Sequence, residues 1–287
     1  MESTKQRRVW CAGRFGFMLP EELTLAGRSQ SIYRVGVDTQ TLVEGKTAQE
    51  FWKEKLRELE ARTEGSGAPK ERNVRAMIPG ASAAWYGANP MFPNDRTLLV
   101  MKPQRGHVVL LQVEAEAGNE AIAEQLVAET VAAYIPEARY GFCVGEGAIT
   151  SEVSINEQAL ANFVSARHPG LEVSISTQTV SQPRSDHPLS DVEGDRQSFA
   201  TRGDRLEVLR DGERTVAGKN GREGRVSLTS AREGTMLRYT WFHPGGQARG
   251  DEPEILLKAS AFDKHKAELE ATWELLLTSM KQLPRTR

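Results

Sequence analysis

Few residues of this sequence stand in a pattern that could carry out nucleophilic catalysis. Ser82, in Gly80-Ala81-Ser82-Ala83-Ala84, comes nearest to the Gly-x-Ser-x-Gly turn that exposes a catalytic serine, but it lacks the second glycine. Cys11 and Cys143 lie in short apolar segments, where a thiol is usually inert rather than activated. The sequence therefore predicts no nucleophile.

Metal-binding and phosphate-binding patterns are equally weak. No two of the histidines stand four residues apart on a helix, and two cysteines without a histidine cluster do not make a zinc site. A metal site assembled from distant loops stays open. The stretch from Gly218 to Gly224 is rich in glycine, but it lies between predicted strands and lacks the strand-to-helix transition of a phosphate cradle. The five histidines are His107, His168, His187, His243 and His265.

Carboxylates are abundant, but none falls into a recognisable acid and base arrangement. His243-Pro244-Gly245-Gly246 indicates a hairpin turn after an aromatic strand rather than an oxyanion loop. We therefore predict a protein that is not an enzyme and has no catalytic, cofactor-binding or metal-binding residues. An acid and a base brought together from separate loops would be the exception; the carboxylates concerned are Glu146, Glu152, Asp191, Glu193 and Asp195.

The two cysteines allow two interpretations. Cys11 and Cys143 are either two buried free thiols or a disulfide that joins the two predicted domains. The bond requires an oxidising compartment, and therefore export from the cytosol. In the loop-entropy model, a bond closing so long a loop stabilises the fold by about 4–5 kcal/mol.

The first half of the sequence reads as strands followed by helices. Thr47 and Glu50 form a capping box, in which a hydroxyl and a carboxylate bind the free N–H groups at the start of a helix. Trp52, Leu56 and Leu59 then fall on one stripe of that helix. Strands are predicted at 9–17, 31–43, 96–102 and 107–115, and a second helix at 119–134.

The second half begins at Tyr140 with a segment similar to the start of the chain. The turn at His168-Pro169-Gly170 and the alternating apolar residues after it favour a hairpin. Closely spaced strands at 205–210, 224–232, 235–242 and 254–261 indicate an antiparallel sheet. A final amphipathic helix at 264–281 carries a stripe of Leu269, Trp273, Leu276 and Met280.

These elements predict an α+β fold of two consecutive domains, 9–136 and 139–287, each a mainly antiparallel sheet packed with one or two helices. Lys and Arg total 37 against 39 Asp and Glu, so a broad nucleic-acid-binding surface is not expected. No apolar run is long enough to insert into a membrane. Residues 1–8 are polar and charged, so they are not a secretory signal: either the protein is cytoplasmic or an export signal is missing from this chain.

Rigid sheets that carry polar loops with single aromatic residues are typical of protein-binding surfaces. The candidate loops are 79–95, 181–195, 212–224 and 243–252.

Short motifs in both halves add a family resemblance. Cys11-Ala12-Gly13-Arg14-Phe15 before Leu19-Pro20, and the segment from Gly141 to Ile149, resemble bacterial immunity proteins paired with type VI secretion lipase effectors of the fourth family. The His168-Pro169-Gly170 turn, the stretch from Gly218 to Glu223, Trp241-Phe242 before Pro253 and the final helix fit the same family.

The resemblance implies a binding protein that inhibits a cognate phospholipase effector of α/β-hydrolase type by blocking its substrate entrance. The two domains of such proteins grip the effector like a claw, and the proteins act in the periplasm. The alternative is a cytoplasmic chaperone or adaptor that binds an effector without inhibiting it. We expect a monomer in the absence of the effector, and no nucleic-acid partner.

Overall fold

The computed structural model contains three α-helices and many strands within the residues that it describes. Neighbouring strands run antiparallel, so the predicted α+β class with mainly antiparallel sheets is confirmed. No helix in these ranges is both long and apolar enough to cross a membrane. The described residues are 7–62, 70–72, 78–87, 95–150, 156–184, 203–232, 234–247 and 251–285.

The elements follow one another in chain order as β1 (Arg7–Ala12), β2 (Phe15–Pro20), β3 (Leu23–Ile32), β4 (Val35–Thr41), α1 (Ala48–Arg62), β5 (Lys70–Arg72), β6 (Ser82–Tyr86), β7 (Asp95–Gln104), β8 (His107–Glu116), α2 (Glu120–Ala132), β9 (Tyr134–Pro136), β10 (Phe142–Val144), β11 (Gly147–Ile149), β12 (Glu157–Ser165), β13 (Glu172–Gln178), β14 (Arg205–Val216), β15 (Lys219–Ser230), β16 (Gly234–His243), β17 (Glu254–Phe262), a 3₁₀ turn (Asp263–His265), α3 (Lys266–Ser279) and β18 (Lys281–Gln282).

The chain forms two compact units. The first comprises Met1–Arg28 and Val153–Pro284, and the second comprises Ser29–Glu152 and Arg285–Arg287. Because β2 pairs with β18 and contacts α3, the first strands group with the C-terminal part of the chain. The predicted division into two consecutive domains, 9–136 and 139–287, has other bounds than these units, and it stays a prediction.

In the first unit, one helix packs on an antiparallel sheet with the strand order β14-β15-β16-β17-β13-β12. The apolar stripe predicted for α3 is confirmed, since Leu269, Trp273, Leu276 and Met280 are at most 4% exposed. The Trp273 ring meets Tyr239 of β16 edge to face, with 6.1 Å between ring centres. The helix and this sheet therefore share one apolar core.

The second unit contains strands in the order β4-β8-β7-β6-β5 and a small sheet, β10-β11-β9. Helix α1 packs Trp52 and Leu59 onto Met101 and Leu110 of this larger group of strands. Its predicted capping box is confirmed: the Thr47 N–H donates to Glu50 Oε2 at 2.8 Å, and the Glu50 N–H donates to Thr47 Oγ1 at 3.2 Å.

Two predicted segment boundaries are wrong, and both errors lie at tight turns. Residues 31–43, predicted as one strand, contain a turn at Tyr33 and Arg34, whose φ angles are 53° and 67°. Residues 212–224, predicted as a loop, belong to strands except for the turn at Ala217 and Gly218, with φ of 52° and 74°. Two consecutive positive φ angles are the geometry of type I′ hairpin turns.

Candidate protein-binding surface

The two faces of the sheet in the first unit differ, because successive side chains of a strand point to opposite sides. On β17, Ile255 and Leu257 are fully buried towards α3, whereas Leu256 and Lys258 point the other way and are partly or fully exposed. The side of β12–β17 that is turned away from α3 borders a cavity of about 900 Å³. We call this side of the sheet the cavity face.

Strand register arranges the cavity face in rows that run across the sheet. One row is apolar, because Leu206 pairs with Leu228, Leu228 with Met236, and Met236 with Phe262. All four side chains are half-buried, so they keep apolar surface exposed. An aliphatic and aromatic row of this kind is the usual centre of a protein interface.

A second apolar pair, Phe242 and Leu256, lies farther along the same strands. The two rows between it and the first are polar: Arg238 is opposite Ser260, and Thr240 is opposite Lys258. Apolar rows that alternate with rows of hydrogen-bonding groups give a binding surface both affinity and specificity.

The charges of the cavity face favour an acidic partner. Arg238 and Lys258 are exposed on adjacent rows, and Arg184, which also lines the cavity, is paired with Glu254 at 3.1 Å. Glu172 is the acidic residue among the described residues that line it. A partner with carboxylates around an apolar centre would complement this pattern, and the charges would speed its association.

The other face of the same strands carries an arginine–glutamate cluster, which consists of Arg210, Arg214, Glu223, Arg225 and Glu274. Glu223 of β15 is completely buried and accepts a hydrogen bond from Trp273 Nε1 at 2.7 Å. Arg214 and Arg225 bridge Glu223 to Glu274 of α3, with N–O distances between 2.6 and 3.3 Å. The cluster fixes α3 on the β14–β15 hairpin and thereby supports the cavity face from behind.

Both carboxylates of the cluster are held in the ionised form. Hydrogen bonds from Arg214 lower the pKa of Glu274 to about 2, and Arg225 adds to the effect against the opposing influence of burial. Burial alone would raise the pKa of Glu223, but hydrogen bonds from Trp273 and Arg225 and the charge of Arg214 outweigh it, so that its pKa is lowered.

We predict that Glu274→Gln weakens the pH dependence of stability in acid. A carboxylate with a depressed pKa stabilises the folded state above its unfolded pKa of 4.5 and loses this effect as the pH falls towards 2. Because the Glu274 side chain is 47% exposed, solvent screening reduces its contribution to about 1 kcal/mol at pH 7. Urea unfolding at pH 7, 4 and 3 measures the change.

The control for this prediction is Glu207→Gln, which removes a carboxylate from an exposed pair with Arg205 at 3.6 Å. This change should leave the acid dependence as it is in the unaltered protein. A Glu274→Gln variant whose stability falls as steeply with acid as that of the unaltered protein would contradict the assignment.

The residues considered for catalysis are not brought together. Ser82 lies in β6, in register with Met101 of β7, and not on a strand-to-helix turn. His243 ends β16, where its Nδ1 lies 2.7 Å from the Asn220 carbonyl oxygen. Residues 219–224 are part of β15, so this glycine-rich stretch is a strand rather than a flexible loop.

The candidate binding loops have different outcomes. Residues 212–224 are mostly strand, and 79–87 contain β6. Within 243–252, the described residues 244–247 and 251–252 lie outside helices and strands. Most of 181–195, together with 88–94 and 248–250, lies outside the described residues. The cavity face is formed mainly by strands β12–β17, and of the candidate loops only Arg184 of 181–195 and Gly224 of 212–224 are among the described residues that line its cavity.

Neither Cys11 nor Cys143 is a free thiol, so the interpretation as two reduced cysteines is wrong. The pairing of Cys11 with Cys143 stays a prediction.

Solved structures with a similar fold span the whole chain. The apo immunity protein TplEi of the type VI secretion system of Pseudomonas aeruginosa is 16% identical, with a TM-score of 0.72 and 99% of each chain covered. A chain of the Tle4–Tli4 complex is 17% identical, with a TM-score of 0.75 and 100% of each chain covered. TplEi bound to an "L" peptide has a TM-score of 0.69, with 16% identity over 99% of this chain and 100% of that chain. No curated protein matches the sequence.

The fold and the cavity face together define an α+β protein with a surface suited to binding another protein. Residues 135–281, just over half of the chain, match the family model of the Tle cognate immunity protein 4 C-terminal domain. The chain belongs to this family of immunity proteins.

Proposed function

We propose that this protein is a type VI secretion immunity protein that binds its cognate phospholipase effector and blocks the effector's substrate entrance. The observation that carries the proposal is the family match, because residues 135–281 contain every strand of the cavity face, β12–β17. This chain shares its fold with a chain of the Tle4–Tli4 complex, and that complex supports binding to an effector as the mode of action.

The cavity face is the surface that we assign to the effector. Its apolar rows would be desolvated on binding, and Arg238 and Lys258 would contact acidic side chains at the edge. Silencing a toxic enzyme requires a stable interface, on the order of 1,600 Å² in total. The protein acts by occupying space and burying apolar surface, and it catalyses no reaction itself.

We further propose that the protein works in the periplasm, where such an effector would attack the membrane. The absence of free thiols supports a disulfide between Cys11 and Cys143, and disulfides persist in oxidising compartments. In the alternative, a cytoplasmic chaperone or adaptor, both cysteines would be kept reduced.

The test is a titration of the cognate effector's phospholipase activity with the purified full chain. We expect activity to fall linearly and to disappear near one equivalent, because a tight inhibitor is consumed stoichiometrically. A lipase of unrelated sequence is the control and should keep its activity. Light scattering on the same samples reports the complex and its stoichiometry.

The other outcomes separate the alternatives. A complex that forms while the effector retains full activity would indicate a chaperone or adaptor. The absence of any complex would overturn the assignment of the partner.

A further inference from the structure

Two histidines that are almost a hundred positions apart in the sequence meet in the first unit. His168 lies in the turn between β12 and β13, and His265 ends the 3₁₀ turn that leads into α3. Glu268, in the first turn of α3, completes the group. The metal-ligating atoms of the three side chains all lie within 4.8 Å of one another.

The two imidazoles lie against each other, edge to face, with 5.0 Å between ring centres. All three side chains are half-buried. His265 Nε2 is shielded from solvent and has no hydrogen-bond partner among the described residues. Buried polar atoms are nearly always paired, and His265 Nε2 is therefore a nitrogen that is still able to bind a ligand.

The backbone holds the turn of His168 in place. Gly170 has a φ of +87°, and a Cβ at this position would lie 2.7 Å from the Phe262 ring, so the turn is tightly packed on the end of β17. The Ser165 hydroxyl accepts the His168 N–H at 3.0 Å, and the His168 carbonyl accepts the Leu171 N–H at 2.9 Å. The backbone of His168 is therefore held in place beside the start of α3.

We propose that His168, His265 and Glu268 bind a zinc ion. Two imidazoles and one carboxylate are a donor set that zinc takes in a tetrahedral site, with water in the fourth position. With metal–ligand bonds of about 2.1 Å, tetrahedral donors lie ~3.4 Å apart, so the side chains need to close by little more than 1 Å.

The ion would join the β12–β13 turn to the start of α3. Gly170 and Phe262, which lie beside the site, both line the cavity. Zinc binding would therefore fix one edge of the cavity face, and this role does not depend on the identity of the effector.

The experiment is zinc competition against a chromophoric chelator, with full-length protein that carries no histidine tag and has been treated with EDTA. We expect one equivalent of zinc to bind. His265→Ala and Glu268→Gln should each weaken zinc binding at least tenfold, since even the loss of an outer-shell partner costs about 10–100-fold. Cobalt bound in place of zinc should show the visible bands of a site with nitrogen ligands, and His265→Ala should remove them.

The control is His243→Ala, which removes a histidine of the same unit outside the cluster and should leave zinc affinity unchanged. Glu268→Gln is nearly isosteric, so it tests the proposal even if His265→Ala disturbs folding, which circular dichroism in EDTA reports. No zinc binding at one equivalent, or an equal affinity in Glu268→Gln and the unaltered protein, would overturn the proposal.

Discussion

Replacing Leu228 with aspartate is expected to weaken effector binding at least about thirtyfold, which corresponds to a loss of about 2 kcal/mol at a central interface position. Leu228 lies in the middle of the apolar row, between Leu206 and Met236. A charge placed there would have to lose its water in the complex without an ionic partner. In the free protein the side chain is half-exposed, so the fold should tolerate the change.

The adjacent residue supplies a matched control. Thr229 lies on the same strand, but its exposed side chain points to the opposite face and lies 3.1 Å from the Thr235 hydroxyl. Thr229→Asp therefore adds the same charge one position away without touching the cavity face. Surface plasmon resonance with immobilised effector should show near-normal affinity for Thr229→Asp and weak binding for Leu228→Asp.

The result separates the binding surface from the function. If Leu228→Asp binds the effector as tightly as the unaltered protein, the cavity face is not the binding surface. The proposed inhibition of the effector would not be contradicted by that result. An equal loss of effector affinity in Leu228→Asp and Thr229→Asp would indicate a general effect of the added charge rather than a local interface.

Local patterns predicted the elements whose signals lie within one turn or one strand. The capping box at Thr47 and the stripe through Leu269 and Trp273 are confirmed because helix initiation and helical periodicity are encoded by residues three and four positions apart. Strand β8 was likewise predicted from its own residues, since the apolar Val109, Leu111 and Val113 recur at every second position.

The turn at Tyr33 and Arg34 could not be predicted, because neither residue is a glycine, asparagine or aspartate that would favour positive φ. The strand from 219 to 224 was missed because its glycines and charges are typical of loops. Its buried Glu223 accepts a hydrogen bond from Trp273 of α3, fifty positions later, and such a tertiary partner is invisible in a local reading.

The cavity face was missed for a related reason. On β17, neighbouring Leu256 and Leu257 are both apolar, a pattern that indicates a strand with apolar side chains on both faces. The sequence contained this signal, but only the register across β15–β17 shows that Leu228, Met236 and Phe262 form one row. The histidine and glutamate group likewise depends on a turn and a helix that meet only in the fold.

A large loss of stability is expected when a buried ion pair of the first unit is broken. Arg14, in the β1–β2 turn, donates to both oxygens of Glu157 at the start of β12, at 2.7 and 2.8 Å. The two side chains are only 4% and 7% exposed. Two parallel charge-assisted hydrogen bonds thus connect segments that are 143 positions apart.

Arg14→Met should destabilise the first unit by about 3–5 kcal/mol, because it leaves the buried Glu157 carboxylate without its guanidinium. Urea unfolding followed through tryptophan fluorescence, to which the buried Trp241 and Trp273 of this unit contribute, measures this loss of stability. Arg205→Met is the control, since it removes a cation from the exposed ion pair with Glu207 in the same unit and should cost less than about 1 kcal/mol.

The double variant Arg14→Met with Glu157→Leu distinguishes two physical origins for the loss of stability in Arg14→Met. If the cost arises from an uncompensated buried charge, removing the second partner should recover most of the stability, since a well-packed apolar pair can replace a buried ion pair. If the costs of the two single variants simply add, the pair stabilises the unit by packing, and the electrostatic account is wrong. Recovery in the double variant would show that the pair specifies where the β1–β2 hairpin docks on β12 more than it adds to net stability.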